Sequence, residues 1–183
     1  MQIIYKHCIS LVVFLSLTIY FFNFQDPVEL IPKYIEQWKN GANEIIDYRE
    51  NTNKEILWTN SMFSGMPAYL IDVKWKNDII IFLHKLLGLW LPHPVSLIFI
   101  SFISFYFMLI CFGVRPEISI FGAIAFTLST YMIVGINAGH NTRIGSAAFI
   151  PLIVAGVHLC FHKKRNLGFI ITALSLALQL RLN

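Results

Sequence analysis

Charged residues are scarce in this sequence, and that scarcity separates it from most soluble proteins. Asp, Glu, Lys and Arg make up 13% of the 183 residues, whereas hydrophobic residues make up 56%. A soluble domain carries roughly a quarter charged residues, so the composition is typical of a membrane protein. The formal net charge of +4 is small and scattered, and no basic patch is interleaved with aromatics. The composition therefore gives no reason to expect a nucleic acid partner.

Cysteine is rare as well, and the three cysteines follow no ligand pattern. Cys8, Cys111 and Cys160 lie in or beside apolar segments, without CxxC spacing. We interpret them as small hydrophobic residues rather than as a disulfide framework or a metal site. The first apolar run also lacks a small-residue cleavage site after Phe22. It therefore predicts a retained membrane span rather than a signal peptide.

Long apolar segments dominate the rest of the chain. A helix needs about 20 residues to cross the hydrocarbon core, and four segments near this length are predicted spans: 3–22, 94–113, 118–138 and 145–161. A fifth apolar helix at 167–180 is too short to cross, which indicates that the sequence is the N-terminal part of a longer protein. The predicted fold class is all-α: one polytopic helical membrane domain over 1–183, with four to five transmembrane helices.

A shorter apolar piece, 79–91, contains His84, Lys85 and Gly88 and is followed by Pro92. Its length predicts an interfacial or re-entrant segment rather than a span.

The distribution of positive charge favours a cytoplasmic N-terminus. The short loop at 162–165 is almost wholly basic. The long loop at 23–78 contains six Lys and Arg residues, but it also contains nine Asp and Glu residues. Because the positive-inside bias acts most strongly in short loops, loop 23–78 is predicted to be extracytoplasmic.

Within this first loop, apolar residues recur at helical spacing and predict an amphipathic helix from about Pro32 to Arg49. The apolar positions are Ile31, Ile35, Trp38, Ala42 and Ile45.

Glu44 and Asp47 are three residues apart on this helix, so their carboxylates project from nearly the same face. They are candidates for a general base or for the ligands of a divalent metal. The alternative is that both are solvated acids on the wet face of the helix.

The twelve residues from Trp58 to Tyr69 form the most distinctive segment, with Gly65 and Pro67 as turn residues. Trp58, Asn60, Ser61 and Tyr69 offer aromatic faces and hydrogen-bonding groups suited to a sugar ring. The alternative is a loop that places its aromatics in the membrane interface.

A second polar constellation, Ala138–Arg143, joins the third and fourth predicted spans on the same side as the first loop. His140, Asn141 and Arg143 are candidate binding residues, with Arg143 as a bidentate phosphate donor and His140 as a donor or proton carrier. The alternative is a helix end capped by Asn141 or Thr142, with Arg143 reaching towards the interface.

Three segments together resemble one known family. Residues 44–50 (EIIDYRE), 58–69 (WTNSMFSGMPAY) and 138–143 (AGHNTR) are similar to those of the YfhO-like bacterial membrane proteins, which are related to the GT-C superfamily of glycosyltransferases. The resemblance covers nearly the whole chain.

This resemblance implies an extracytoplasmic active site, a polyprenyl-phosphate-linked sugar donor and an acidic base in the first outer loop, sometimes with a divalent metal such as Mg or Mn. Glu44 and Asp47 are the loop acids to which that role transfers. One position departs from the pattern, because relatives tend to carry an Asp four residues before the Trp of this helix, where this chain has Tyr34.

Three functions are consistent with these features. The first is a membrane-embedded, glycosyltransferase-like protein for cell-envelope glycans. The second is a transporter or binding protein for lipid-linked glycans that lacks a catalytic acid. The third is a structural subunit, which leaves the 58–69 segment unexplained.

Overall fold

A computed structural model describes residues 2–24, 27–61, 63–72, 79–162 and 164–181. The described residues are mainly helical and form two compact units. Unit 1 comprises residues 1–25 and 79–183, and unit 2 comprises residues 26–78. The prediction of an all-α chain is confirmed, apart from a two-stranded ladder in unit 2.

Unit 1 contains seven of the α-helices in the described residues. They are α1 (Gln2–Phe24), α3 (Ile79–Leu87), α4 (Val95–Cys111), α5 (Pro116–Thr127), α6 (Thr130–Asn137), α7 (Asn141–Phe161) and α8 (Arg165–Arg181). Helix α4 lies against α1, α5 and α7, and α7 packs along α8. The core contains stacked aromatic rings, including Phe14 and Phe102 with centroids 5.1 Å apart.

Two close approaches explain the tight pairing of α7 with α8. A Cβ atom on Gly168 would overlap the backbone of Cys160, and one on Gly156 would overlap Thr172. Only glycine lets the two helix backbones approach this closely, as in small-residue contacts between membrane helices.

The segment predicted as one span at 118–138 forms two helices rather than one continuous helix. Helix α5 ends at Thr127 and α6 begins at Thr130, with Ser129 at its N-cap in an extended conformation. The two axes are bent by 41°. Ser129 and Thr130 favour a helix start over a helix interior, since short hydroxyl side chains compete for backbone hydrogen bonds.

Length and composition identify one described helix, α7, as long and apolar enough to cross a membrane. The bent pair α5 and α6 passes the same test if the two helices are counted as one span. Helix α4 and residues 5–20 of α1 are shorter apolar helices.

Unit 2 contains α2 (Pro27–Thr52), the strands β1 (Trp58–Thr59) and β2 (Met66–Pro67), and a 3-10 turn at Ala68–Leu70. The strands are antiparallel, with Trp58 opposite Pro67. The predicted amphipathic helix therefore exists, although it begins at Pro27 rather than Pro32.

The core of unit 2 confirms part of the predicted apolar face of α2. Ile45 is fully buried with Ala68, against the partly buried Ile56 and Ile71, and Ala42 is also buried. The predicted core positions Ile31, Ile35 and Trp38, and the departure at Tyr34, lie outside the described side chains.

Candidate functional site

The loop after α2 is attached to that helix through one carboxylate oxygen. Glu44 Oε2 accepts hydrogen bonds from the Thr59 hydroxyl at 2.5 Å, the Asn60 N–H at 2.7 Å and the Ser61 N–H at 3.0 Å. The Ser61 hydroxyl in turn donates to the carbonyl of Gly41 at 2.9 Å. These bonds fix the start of the 58–69 segment against the middle of α2.

The same bonds change the acidity of Glu44. The Thr59 hydroxyl, followed by the Asn60 N–H, stabilises the carboxylate and lowers the pKa of Glu44 below its ordinary value of 4.5, and burial only partly opposes this. A carboxylate stabilised in this way is a weaker proton acceptor. Asp47, the other candidate acid, is exposed and takes no part in this set of bonds. The catalytic role of both residues remains a prediction.

Arg49 provides a second attachment between α2 and the following loop. Its guanidinium binds Glu55 in bidentate fashion, at 2.6 and 2.8 Å, and reaches the carboxylate of Asp72 at 3.0 Å and the Asp72 carbonyl at 2.9 Å. Charge-assisted, bidentate pairs are the stronger class of side-chain hydrogen bond, and both carboxylates help to raise the pKa of Arg49. This clamp closes the segment between residues 55 and 72, and the sequence analysis did not identify it.

The tip of the loop has an unusual backbone. Phe63, Ser64 and Gly65 all have positive φ, at 51°, 61° and 121°. Non-glycine residues adopt this region at an energetic cost. Gly65 also lies against the Trp58 indole, so closely that a Cβ atom would be 2.9 Å from Nε1. Glycine is therefore required at 65 both by φ and by its contact with Trp58.

This framework leaves large aromatic side chains exposed. The exposed fractions are 52% for Trp58, 57% for Tyr69 and 85% for Phe63. Exposed aromatics on a well-bonded scaffold are typical of binding surfaces, since burying them inside the unit would stabilise the fold instead.

The predicted polar binding residues of this segment behave differently from one another. Asn60 is exposed and contributes its backbone N–H, rather than its side chain, to the bonds with Glu44. Ser61 uses both its N–H and its hydroxyl within unit 2. Of the two, Asn60 has the side chain better placed to reach a ligand.

The second predicted constellation lies in unit 1, at the start of α7. His140 occupies the N-cap position without a side-chain capping bond, so the alternative of a cap by Asn141 or Thr142 is wrong. His140 and Arg143 are exposed. Asn141 is only 5% exposed, and its Oδ1 has no hydrogen-bond partner among the described residues. The exposed cation and the free N–H groups of the first helical turn favour an anion here.

Unit 1 also contains an apolar cavity of about 330 Å³. It lies between α3, α4, α7 and α8, and Ser175 is the single polar residue in its lining. The lining residues are Leu83, Leu86, Leu87, Ile103, Phe107, Leu152, Ile171, Leu174, Ser175 and Leu178. Its volume is at the lower end of the range of about 300–1,000 Å³ for ligand pockets.

The described residues do not form a metal centre. In the parts of the chain that the structure describes, no three His, Cys, Asp or Glu residues come together as a metal-binding group. Among the described residues, Glu44 and Asp47 therefore have no third ligand of these types beside them.

Comparison with other proteins identifies no relative. No model of a known protein family, no curated protein and no solved structure matches the chain.

Proposed function

We propose that this chain is a polytopic membrane protein that binds a polyprenyl-phosphate-linked sugar through the 58–69 loop, and that the protein containing it is glycosyltransferase-like. The proposed location is the bacterial cytoplasmic membrane, with a cytoplasmic N-terminus and an extracytoplasmic unit 2. The apolar helices α1, α4 and α7 and the bent pair α5 and α6 support the membrane assignment.

The observation that carries the proposal is the exposure of Trp58 and Tyr69 on a loop fixed by Glu44 and Arg49. An aromatic face stacks on the apolar face of a sugar ring, and the exposed Asn60 amide can bond a hydroxyl. Because the backbone is already ordered, binding does not have to order the loop again.

Two features of unit 1 support a lipid-linked donor. The apolar cavity suits part of a hydrocarbon chain, and the start of α7, with Arg143 and His140, suits a phosphate group.

For transfer, we assign the base to Asp47 rather than to Glu44, whose carboxylate is committed to the loop. Asp47 would accept the proton of an acceptor hydroxyl, whose oxygen then bonds to the anomeric carbon. The bond from that carbon to the phosphate oxygen breaks, and its electron pair leaves with the lipid phosphate. Attack opposite the leaving group inverts the anomeric configuration.

The alternative proposal, a carrier or binding protein for lipid-linked glycans, is favoured by one observation. Thr59, Asn60 and Ser61 all donate to the Glu44 carboxylate, so this group holds the loop in place. Unit 2 then keeps its binding loop but has only Asp47 left as a candidate base.

The test uses the full chain in nanodiscs, with polyprenyl phosphate carrying glucose, mannose or N-acetylglucosamine as probes and unglycosylated polyprenyl phosphate as reference. We expect Trp58→Ala and Tyr69→Ala each to weaken binding of at least one glycosylated probe by roughly fivefold, because stacking on an aromatic ring contributes about 1 kcal/mol. Tyr131→Ala, which removes an exposed tyrosine from α6, is the matched control.

Asp47→Asn separates the two proposals. If the protein is an enzyme, Asp47→Asn abolishes sugar transfer, measured with the gene product in its native membrane, and leaves donor binding unchanged. If it is a carrier, neither the wild type nor Asp47→Asn transfers sugar. Equal affinity for glycosylated and bare polyprenyl phosphate would contradict both proposals.

A further inference from the structure

Charge is divided unequally between the two units. Unit 1 contains eight Lys and Arg residues and one carboxylate, Glu117, whereas unit 2 contains six Lys and Arg residues and nine carboxylates. The cations of unit 1 therefore have almost no internal counter-charge, and an external anion is their natural partner.

Several of these cations meet at one end of unit 1. Lys6 Nζ lies 2.6 Å from Glu117 Oε1, which places the start of α1 beside the start of α5. The ring of His158 lies 4.6 Å from that of Phe112, so the α4–α5 turn also lies beside the end of α7. Helix α8 begins here too, at Arg165.

Three rings form a column between these turns. His158 contacts both Phe112, with the ring planes at 59°, and His162, with the two histidine centroids 3.9 Å apart and their planes at 17°. His162 Nδ1 is 2.9 Å from the His158 carbonyl. Because a carbonyl oxygen can only accept, Nδ1 of His162 is the donor in this contact.

The charged groups beside the column are mainly exposed cations. Lys164 and Arg165 are exposed and form no ion pair within the described residues. Arg115 is 78% exposed and lies 3.8 Å from Glu117, whose other oxygen binds Lys6.

We propose that this basic end, defined by Arg115, Lys164, Arg165 and the ring column, binds the phosphate groups of anionic phospholipids. The position of α7 identifies the occupant. This helix is long and apolar enough to cross a membrane and ends at Phe161, which is 83% exposed. Cations that follow directly after an exposed aromatic at a helix end lie at headgroup depth. The proposal rests on the membrane assignment made under the proposed function and does not depend on glycan binding.

The test compares phosphatidylglycerol with phosphatidylcholine as added lipids for the full chain in a neutral detergent, with bound lipid counted by native mass spectrometry. We expect the wild type to bind phosphatidylglycerol more tightly. The double variant Lys164→Gln/Arg165→Gln should lose on the order of 25-fold in this preference, because each basic residue near an anionic surface contributes about fivefold.

Two further variants make the result specific. Lys39→Gln/Lys54→Gln removes the same charge at two exposed positions of unit 2 and should keep the preference, and Lys164→Arg should keep it as well. Equal binding of the two lipids by the wild type, or equal losses in both double variants, would overturn the proposal. Displacement of phosphatidylglycerol by millimolar inorganic phosphate would also overturn it, since the site would then be for a free anion.

Discussion

The Oε2 atom of Glu44 lies 2.5 Å from the hydroxyl of Thr59, fifteen residues further along the chain. With the Asn60 and Ser61 N–H groups on the same oxygen, this contact links the amphipathic helix to the loop that presents Trp58 and Tyr69. Glu44 thus serves as the anchor of a candidate binding loop.

Removing the Glu44 carboxylate should loosen the loop while leaving α2 intact. In Glu44→Leu the Asn60 and Ser61 amides lose their acceptor, so their hydrogen exchange should accelerate by roughly tenfold or more. Asp47→Asn, one helical turn away, is the control and should leave both amides protected. Unchanged exchange in Glu44→Leu would show that the loop is ordered by other contacts.

The anchor should also fail in acid. Because the folded state lowers the pKa of Glu44 below 4.5, the stabilisation is complete above that pH and is lost as the pH falls through the lower, folded value. The protection of the Asn60 and Ser61 amides, measured relative to their intrinsic exchange rates at each pH, should therefore decrease below pH 4.5 in the wild type. Glu44→Gln, which has no carboxylate at this position, should lack that component; an identical acid profile in both proteins would contradict the assignment.

Substitution of Gly65 should damage the loop through two effects. Gly65→Ala meets a φ of 121° and an indole 2.9 Å from the new Cβ. Gly113→Ala is a matched control, since Gly113 also has a positive φ, 78°, but has open space around its Cβ position. We expect Gly65→Ala to weaken binding of the glycosylated probes and to expose the Trp58 indole, as measured by fluorescence emission after the other tryptophans are replaced by Phe. Wild-type binding and emission in Gly65→Ala would rule out the close contact.

The Arg49 clamp should not tolerate lysine. Arg49→Lys keeps the charge but cannot reproduce the fork that binds Glu55 while reaching Asp72, and we expect it to destabilise unit 2 by about 1–3 kcal/mol. Hydrogen exchange over residues 55–72 measures this loss. Lys54→Arg, at an exposed neighbouring position, is the control. Equal protection in Arg49→Lys and the wild type would mean that the clamp contributes little.

The sequence predicts elements that depend on local pattern. Apolar length located α1, α4, α7 and α8 to within a few residues, and the helical spacing of Ala42 and Ile45 correctly predicted two buried positions of α2. The break at Leu128–Ser129 was missed because neither Gly nor Pro marks it, and hydroxyl side chains are weaker signals of a helix boundary.

The site depends on contacts between residues that are distant in sequence, and these were not predictable from spacing. Glu44 and Asp47 share a helix face, which suggested a shared role, yet Glu44 binds the loop and Asp47 does not. Arg49, Glu55 and Asp72 were missed for the same reason, since their pairing depends on how the chain returns to α2. The left-handed backbone at Phe63 and Ser64 was also not predictable, because Phe and Ser are not residue types that favour positive φ.

The most direct test of the account is the affinity of the full chain in nanodiscs for glycosylated polyprenyl phosphate, compared between wild type and Trp58→Ala/Tyr69→Ala. The account predicts a loss of roughly tenfold or more for at least one sugar, with no change for the bare lipid phosphate. If the double variant binds every glycosylated probe as the wild type does, the loop is not a sugar-binding surface.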